Sequence, residues 1–332
     1  MGALSRKHFL DLEFAPKEDL QKIIDTAYTF KDVLDRPIKK VPSLTGKNVV
    51  NLFFENSTRT RMSFELAEKR LSSDVTNFSA SSSSLSKGES LKDTIQNIHA
   101  MKMDAVVMRH PTPGSVYQLT KFVDAVVINA GDGTHEHPTQ GMLDMISIHE
   151  KFNGLEGVKV GIIGDILHSR VALSNIFGLI KMGAEITLCG PPHLIPVNVE
   201  ELGVNVTYDV DELIEWADVI NVLRIQRERM GLGLIPSIRE YRHHFGITNE
   251  RLTNHKKEIV DYIKNFVNDL NKGKFDDLLI YRKAIRKDLD KYVKTTPPHV
   301  KAARKLDKIT SSIIAYVMTT KGPEAVQKIE NE

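Results

Sequence analysis

The sequence contains little that could cross-link the chain or place it in a membrane. Its 332 residues include one cysteine, Cys189, which excludes a disulfide framework and a metal site built from several cysteines. No uninterrupted apolar run approaches the roughly 20 residues of a membrane-spanning helix. The first nine residues lack the apolar segment of a secretory signal. A net charge of +2 favours no class of partner. We therefore expect a cytoplasmic globular protein, long enough for two α/β domains.

The clearest motif lies within residues 47–70, where a predicted strand leads into a predicted helix. Val49 to Phe54 is an apolar run typical of a buried strand, and apolar residues at helical spacing begin at Met62. Between them stands the segment Ser57-Thr58-Arg59-Thr60-Arg61. Hydroxyls and a guanidinium suit a phosphate there, because backbone N–H groups at a helix N-terminus have no intrahelical partner. The alternative is that Asn56 or Ser57 is an ordinary N-cap and the arginines are solvated.

This motif resembles the carbamoyl-phosphate site of the transcarbamoylases. The match runs from Phe54 to Arg61 and continues in Phe64-Glu65, and it favours the aspartate-using branch of the family. The resemblance extends from the N-terminus to about residue 257. It implies that four side chains of the motif cradle the phosphate group: Ser57, Thr58, Arg59 and Thr60.

Two later loops of the same domain supply further candidates. Arg109 follows the predicted strand Ala105 to Met108, at the sheet edge where open α/β folds bind ligands, although it could equally be a surface arginine. His135, Glu136 and His137 raise the alternative of a zinc site, but no metal-site spacing is completed elsewhere. The resemblance instead implies a site without metal or cofactor. In that site the carbonyl oxygen is polarised by Thr60, Arg109 and His137, and Gln140 helps hold the carbamoyl amide.

A serine-rich stretch from Ser79 to Ser90 predicts a mobile loop inside the first domain. It could be a flexible linker, but such loops within a compact domain are uncommon without a function. The resemblance implies that Ser84 and Lys87 reach into the site of a neighbouring subunit. A monomer would then have an incomplete site, so we expect a homotrimer with shared sites. Whether a regulatory subunit binds is left open.

The segment from Val158 onwards alternates strands and helices, which predicts a second parallel sheet. A dinucleotide-binding domain is the rival, but its first turn needs Gly-x-Gly-x-x-Gly, and Gly164 is followed here by Asp165-Ile166-Leu167. The resemblance implies an aspartate site, since two guanidiniums suit a dicarboxylate. The late His-Cys-Leu-Pro motif of the ornithine branch is absent from the sequence. The implied aspartate-binding residues are Arg170, Arg224 and Gln226.

The predicted fold class is α/β, with two doubly wound parallel-sheet domains and a mostly helical tail. The first domain, residues 1–150, is expected to open with a helix from Leu10 to Asp35 and to bind carbamoyl phosphate. The second, 151–257, is expected to bind aspartate and to be incomplete, because the next strand, the His-Pro-Gly-Pro loop and the long C-terminal helix of the family have no counterpart after Lys257. Residues 258–332 resemble instead the thumb region of family B DNA polymerases, as in Tyr292 to Arg304 and Tyr316 to Glu324.

The implied reaction is transfer of the carbamoyl group from carbamoyl phosphate to the amino group of L-aspartate, in pyrimidine synthesis. Lys87 of a neighbour would neutralise the phosphate dianion, and the leaving phosphate could take the proton of the amine. Two alternatives remain. The chain could bind carbamoyl phosphate without turnover, because its second domain is truncated. It could also bind nucleic acid through the tail, although the tail contains none of the carboxylate motifs of a polymerase.

Overall fold

The computed structural model describes residues 4–34, 36–55, 57–79, 95, 100–225, 237–248 and 250–252. The chain divides into two compact units, the first ending at Ile146 and the second beginning at Ser147. Each unit contains a four-stranded sheet whose paired strands are all parallel. The predicted α/β fold class is therefore confirmed for the described residues, and the predicted helical tail lies outside them. None of the helices described here is both long enough and apolar enough to span a bilayer.

The first unit is organised around a sheet with the strand order β2-β1-β3-β4. Its strands are β1 (Asn48–Phe53), β2 (Asp74–Ser79), β3 (Ala105–His110) and β4 (Val126–Asp132). The helices that accompany them are α1 (Lys17–Leu34), α2 (Thr58–Arg70) and α3 (Ser115–Leu119). A further helix, α4 (Pro138–Phe152), begins in this unit and continues past Ile146 into the residues of the second. In this sheet the central strands β1 and β3 are nearly continuous runs of buried residues, as expected when helices cover both faces of a parallel sheet.

The N-terminal helix begins later than the sequence predicts. We expected it from Leu10, but α1 begins at Lys17. The reason is that Phe9 pairs with β4 instead, donating from its N–H to the carbonyl of Val127 at 2.9 Å and accepting from the N–H of Asn129 at 2.9 Å. Those long-range hydrogen bonds commit the chain ahead of α1 to pairing with β4.

The second unit contains a sheet with the order β7-β6-β5-β8. Its strands are β5 (Lys159–Ile163), β6 (Glu185–Cys189), β7 (Asn205–Thr207) and β8 (Val219–Val222). Its helices are α5 (Arg170–Lys181), α6 (Val210–Trp216) and α7 (Ile238–Phe245). Cys189 is fully buried in the core that α6 forms with β5, β6 and β8.

The carboxyl ends of β5, β6 and β8 lie very close together. Gly164 follows β5 with φ of +132°, and a Cβ there would lie 3.0 Å from the side chain of Leu223. A Cβ on Gly190 would lie 2.5 Å from the carbonyl oxygen of Gly164. Glycine is therefore required at both positions, and it lets three loops converge at the edge where parallel sheets bind ligands.

Candidate functional site

The N-terminus of α2 is not closed by its own N-cap side chain. Ser57 occupies the N-cap position, but its hydroxyl makes no capping hydrogen bond and donates to Thr60 Oγ1 at 2.9 Å. Thr58 and Arg59, the next residues of this first turn, are exposed. Ser57 is therefore not an ordinary side-chain cap, and Asn56 lies outside the described residues. A helix start of this kind, with hydroxyls beside first-turn N–H groups, is suited to an anion.

Arg109 is held beside that helix start by three elements of the first unit. Its guanidinium is almost completely buried and donates from Nη2 to Glu55 Oε1 at 3.1 Å. Nη1 donates to Thr60 Oγ1 at 3.4 Å and to the carbonyl of Ala130 at 3.3 Å. Arg109, at the end of β3, is thus fixed at the first turn of α2. Glu55 after β1 and the Ala130 carbonyl in β4 hold it there. Sequence reasoning did not single out Glu55, although an acidic residue directly after a buried strand was a usable signal.

His110 follows Arg109 and was also missed as a residue of this region. Its Nδ1 accepts from the N–H of Thr112 at 3.0 Å and lies 2.9 Å from Ser115 Oγ. The ring centroid lies 5.2 Å from that of Phe54. Burial lowers the pKa of His110, so the imidazole is neutral near pH 7 and accepts at Nδ1. It is therefore an uncharged ring that directly follows Arg109 at the end of β3.

The loop between β4 and α4 contains a buried carboxylate, Asp132. Its oxygens accept from Asn129 Nδ2 at 2.8 Å and from the N–H of Gly114 at 2.8 Å, and His135 Nδ1 lies 3.2 Å away. Burial by itself would raise the pKa of Asp132, but the hydrogen bonds from His135, Asn129 and Gly114 outweigh it and the pKa is lowered. The same contact raises the pKa of His135. The loop is therefore braced by the contact between His135 and Asp132.

His137 and Gln140 lie at the start of α4. The carbonyl of His137 accepts from the N–H groups of Gln140 at 2.9 Å and Gly141 at 3.1 Å, and its Nδ1 lies 3.3 Å from Thr139 Oγ1. Gln140 Nε2 donates to Asp144 Oδ1 at 2.9 Å. The structure joins Ser57, Thr60 and Arg109 in one hydrogen-bonded chain, while His137 and Gln140 follow β4, which is paired to the strand that carries Arg109.

The acidic and histidine side chains nearest to a metal-binding arrangement differ from those that the sequence suggested. Among the described residues, ligand atoms of Glu13, His135 and Glu136 lie within 4.8 Å of one another, without His137. The carboxylate of Glu136 already accepts from the N–H groups of Leu12 at 2.9 Å and Glu13 at 3.1 Å. We interpret this cluster as a backbone anchor.

In the second unit, two predicted aspartate-binding residues follow adjacent strands. Arg170 is the first residue of α5 and is buried, directly after its N-cap Ser169. Arg224 is exposed and follows β8, which pairs in parallel with β5. The loop before Arg170 is fixed by Asp165, a fully buried carboxylate whose Oδ1 lies 2.8 Å from His168 Nδ1. Three further predicted site residues, Ser84, Lys87 and Gln226, lie outside the described residues.

Comparison with known protein families identifies the class of protein to which this chain is similar. Residues 7–150 match the family described as aspartate/ornithine carbamoyltransferase, carbamoyl-P binding domain. The aspartate carbamoyltransferase catalytic subunit of Christiangramia forsetii is 58% identical over 257 residues, which cover 77% of this chain and 83% of that protein.

Solved structures give the same assignment. The catalytic subunit of M. jannaschii aspartate transcarbamoylase matches with a TM-score of 0.66 at 33% identity, covering 76% of this chain and 84% of that one. The Trypanosoma cruzi enzyme in complex with carbamoyl aspartate and phosphate matches with a TM-score of 0.66 at 29% identity, covering 76% and 82%. The chain belongs to the aspartate carbamoyltransferase catalytic subunit family.

Proposed function

We propose that this chain transfers the carbamoyl group of carbamoyl phosphate to the α-amino group of L-aspartate, giving N-carbamoyl-L-aspartate and phosphate for pyrimidine synthesis. The amine attacks the carbonyl carbon, the carbon–oxygen bond to phosphate breaks, and the leaving phosphate takes the proton of the amine. Two carboxylates, one phosphate and one carbonyl must be held together for this step. The first contribution of the protein is therefore orientation of two anionic substrates.

The observation that carries the proposal is the hydrogen-bonded chain from Ser57 through Thr60 to Arg109. It places a fixed guanidinium beside a helix start whose N-cap hydroxyl is turned away from the backbone. Such a site offers a cation and dipole to the phosphate and hydrogen-bond donors to the developing oxyanion. In the proposal the phosphate is cradled by Ser57, Thr58, Arg59 and Thr60. The carbonyl oxygen is polarised by Thr60, Arg109 and His137, and Gln140 holds the amide.

For aspartate we propose a pair of arginines from the second unit. Arg170 and Arg224 follow adjacent parallel strands, so both belong to one carboxyl edge of the sheet, and Gln226 comes two residues later in the chain. Guanidiniums bind carboxylates through paired N–H groups, and two of them match the two carboxylates of aspartate. This selects a dicarboxylate over a cationic amino acid.

We further propose that the working enzyme is a cytoplasmic homotrimer. Ser84 and Lys87 would then complete the site of a neighbouring subunit, with Lys87 offsetting the charge of the phosphate. These roles rest on the family resemblance of the loop sequence. Whether a regulatory subunit also binds is tested by co-purification from the source cells.

The decisive experiment is a timed assay for carbamoyl aspartate with the purified full chain. Wild type should form product from carbamoyl phosphate and aspartate, and Arg59→Ala should abolish turnover because it removes a cation from the phosphate cradle. Arg61→Ala is the matched control, since it deletes the next arginine of the same helix, which has no proposed role. A rate in Arg59→Ala equal to wild type would refute the assignment.

A second candidate is a protein that binds carbamoyl phosphate without turnover. The observation in its favour is that the match to the C. forsetii relative covers 83% of that protein, so part of the relative has no aligned counterpart here. Calorimetric titration with carbamoyl phosphate, run beside the product assay, separates the two. Binding without product would favour this candidate, and product formation would exclude it.

The origin of the tail is a separate proposal. From sequence alone, residues from about 261 resemble a polymerase thumb, which would make the chain a fusion, and these residues lie outside those that the structure describes. Sequencing across the codons for Arg251 to Lys264 tests the fusion. A salt-dependent mobility shift with duplex DNA tests nucleic-acid binding, which the missing carboxylate motifs disfavour.

A further inference from the structure

The N-terminal segment of the first unit is built into its sheet. Phe9 pairs in parallel with Ile128 of β4, through N–H and C=O contacts of 2.9 Å to Val127 and Asn129. Asn129 Nδ2 also donates to the carbonyl of Leu10 at 2.8 Å. Phe9 and Leu10 thus lie beside β4, and β4 leads directly into the loop that ends at His137.

Glu136, directly before His137, continues this attachment. Its carboxylate is completely buried and accepts from the N–H of Leu12 at 3.1 and 2.9 Å, and from the N–H of Glu13 at 3.1 Å. A buried carboxylate is stable only when hydrogen bonds replace its hydration. These contacts therefore fix both partners, the side chain of the loop residue and the backbone of the N-terminal segment.

The backbone on both sides of His137 is held as well. The N–H of Asp132 donates to the carbonyl of Glu136 at 3.1 Å, and the N–H of Glu136 donates to Asp132 Oδ1 at 3.2 Å. The carbonyl of His137 receives the first N–H groups of α4. Because Glu136 is clamped on one side and α4 begins on the other, the Cα of His137 has little freedom to move.

We propose that Glu136 is a positioning residue that acts through His137. Its carboxylate ties the loop to the segment Leu10 to Glu13 and so sets the place from which His137 reaches the carbonyl oxygen of carbamoyl phosphate. This inference rests on the proposed function, and it assigns the N-terminal segment a part in the carbamoyl-phosphate site. Aspartate binding does not depend on it.

The test compares Glu136→Ala and Glu136→Gln in the full chain. Wild-type product formation is measured first, and its absence would end the proposed function whatever the variants do. With active wild type, Glu136→Ala should lower kcat about 100-fold, the effect expected when a catalytic group is displaced by about 1 Å. Calorimetric affinity for carbamoyl phosphate should fall too, while KM for aspartate stays unchanged. Glu136→Gln keeps one acceptor oxygen for Leu12 and Glu13 and should recover most of the loss.

Asp19→Ala is the matched control. Asp19 is another buried carboxylate that anchors the N-terminal segment, accepting from the N–H of Ser5 at 3.1 and 3.0 Å, but it belongs to α1. Asp19→Ala should lower the melting temperature and leave the kinetics unchanged. Equal kinetic losses in Asp19→Ala and Glu136→Ala, or wild-type kinetics in Glu136→Ala, would overturn the proposal. If Glu136→Ala does not fold, Glu13→Pro takes its place, because it removes one N–H that donates to Glu136. Its kcat should fall by a smaller factor, and wild-type kinetics in Glu13→Pro would also overturn the proposal.

Discussion

The two units of the chain begin their helices differently. In the second unit, Ser169, Asp209 and Ser237 each accept a hydrogen bond from a first-turn N–H, at 2.8 to 3.3 Å. In the first unit Ser57 has a suitable hydroxyl at the same position, but turns it to Thr60. A side-chain cap and a bound anion use the same N–H groups, so a capped helix start is occupied and an open one can receive a ligand.

This difference separates residues that stabilise the fold from residues that serve a ligand. Capping by Asp209 contributes to stability whether or not substrate is present. The start of α2 has no stabilising side-chain cap, and Arg109 contacts its first turn instead. Local destabilisation of this kind is expected where a site must bind charge, and the bound anion then supplies the missing contacts.

Arg109→Ala should have the largest effect, because it removes the cation that faces the open helix start. Loss of a preorganised donor to the oxyanion predicts a fall in kcat/KM of about 1,000-fold. Arg109→Lys keeps the charge without the fork of N–H groups and should be intermediate. Circular dichroism confirms that the variants are folded. If kcat/KM of folded Arg109→Ala falls less than tenfold, the open start of α2 is not a ligand site, and it does not differ in function from the capped helix starts of the second unit.

Glu68→Gln should change the pH dependence of stability. Glu68 lies on α2, buried, with Asn51 Nδ2 donating to its Oε2 at 2.9 Å. Burial raises its pKa to about 7 from 4.5, against the smaller opposing effect of that hydrogen bond. A raised carboxyl pKa adds stability below about pH 4.5, and that contribution is lost as the pH rises to about 7, at a total cost of about 3 kcal/mol.

Glutamine stays neutral, so the variant should match wild type at pH 4 and exceed it by up to about 3 kcal/mol at pH 8. Urea unfolding at several pH values measures this. Glu65→Gln, on the same helix, is the control, because the hydrogen bond from Lys69 lowers the pKa of Glu65 and gives the opposite slope. Parallel stability curves for wild type and Glu68→Gln would contradict the prediction.

Asp209→Ala should cost about 1 kcal/mol of unfolding free energy, as expected for a lost N-cap. It should leave the affinity for carbamoyl phosphate unchanged, since α6 belongs to the second unit and its first turn is closed. Thermal unfolding and calorimetry measure the two quantities. Asp209→Asn, which retains an acceptor oxygen, should recover most of the stability. A changed affinity for carbamoyl phosphate in folded Asp209→Ala would contradict the distinction between capped helix starts and open, ligand-binding ones.

Ser57→Ala should change stability least, by no more than about 0.5 kcal/mol, because no capping bond is lost. Its affinity for carbamoyl phosphate should nevertheless fall about tenfold, from loss of a hydrogen bond to a charged group. Ser57→Thr keeps the hydroxyl and serves as the control. The same two measurements apply, and a stability loss equal to that of Asp209→Ala would show that Ser57 is an ordinary cap after all.

Much of the sheet framework is readable from local sequence. The buried strand predicted from Val49 to Phe54 is observed as β1, Asn48–Phe53, within one residue at each end, since a strand buried on both faces is a nearly continuous run of buried residues. The change from strand to helix near Ser57 was also predictable, because hydroxyl residues stood between the two patterns. Local composition therefore located the strands, although β3 continues to His110, two residues beyond its predicted end at Met108.

Contacts between distant residues could not be read in the same way. The late start of α1 follows from pairing with β4 and from the bond between Leu12 and Glu136, residues 124 positions apart. The partner of Arg109, Glu55, is 54 positions away. Pro16 with Glu18 and Asp19 was a usable signal for the helix start, and the apolar stripe on which the helix was predicted begins only at Ile23. Tertiary hydrogen bonds overrode a local preference there.

Cys189, the single cysteine of the sequence, has a practical consequence for spectroscopy. Burial raises its pKa to about 12, and thiols react with maleimides as thiolates, so the native chain offers a silent background for labelling. Cysteines introduced at Ile38, 76% exposed, and Val197, 90% exposed, would place one fluorophore on each unit. Energy transfer between them would report how the units respond to carbamoyl phosphate, without replacing the native thiol.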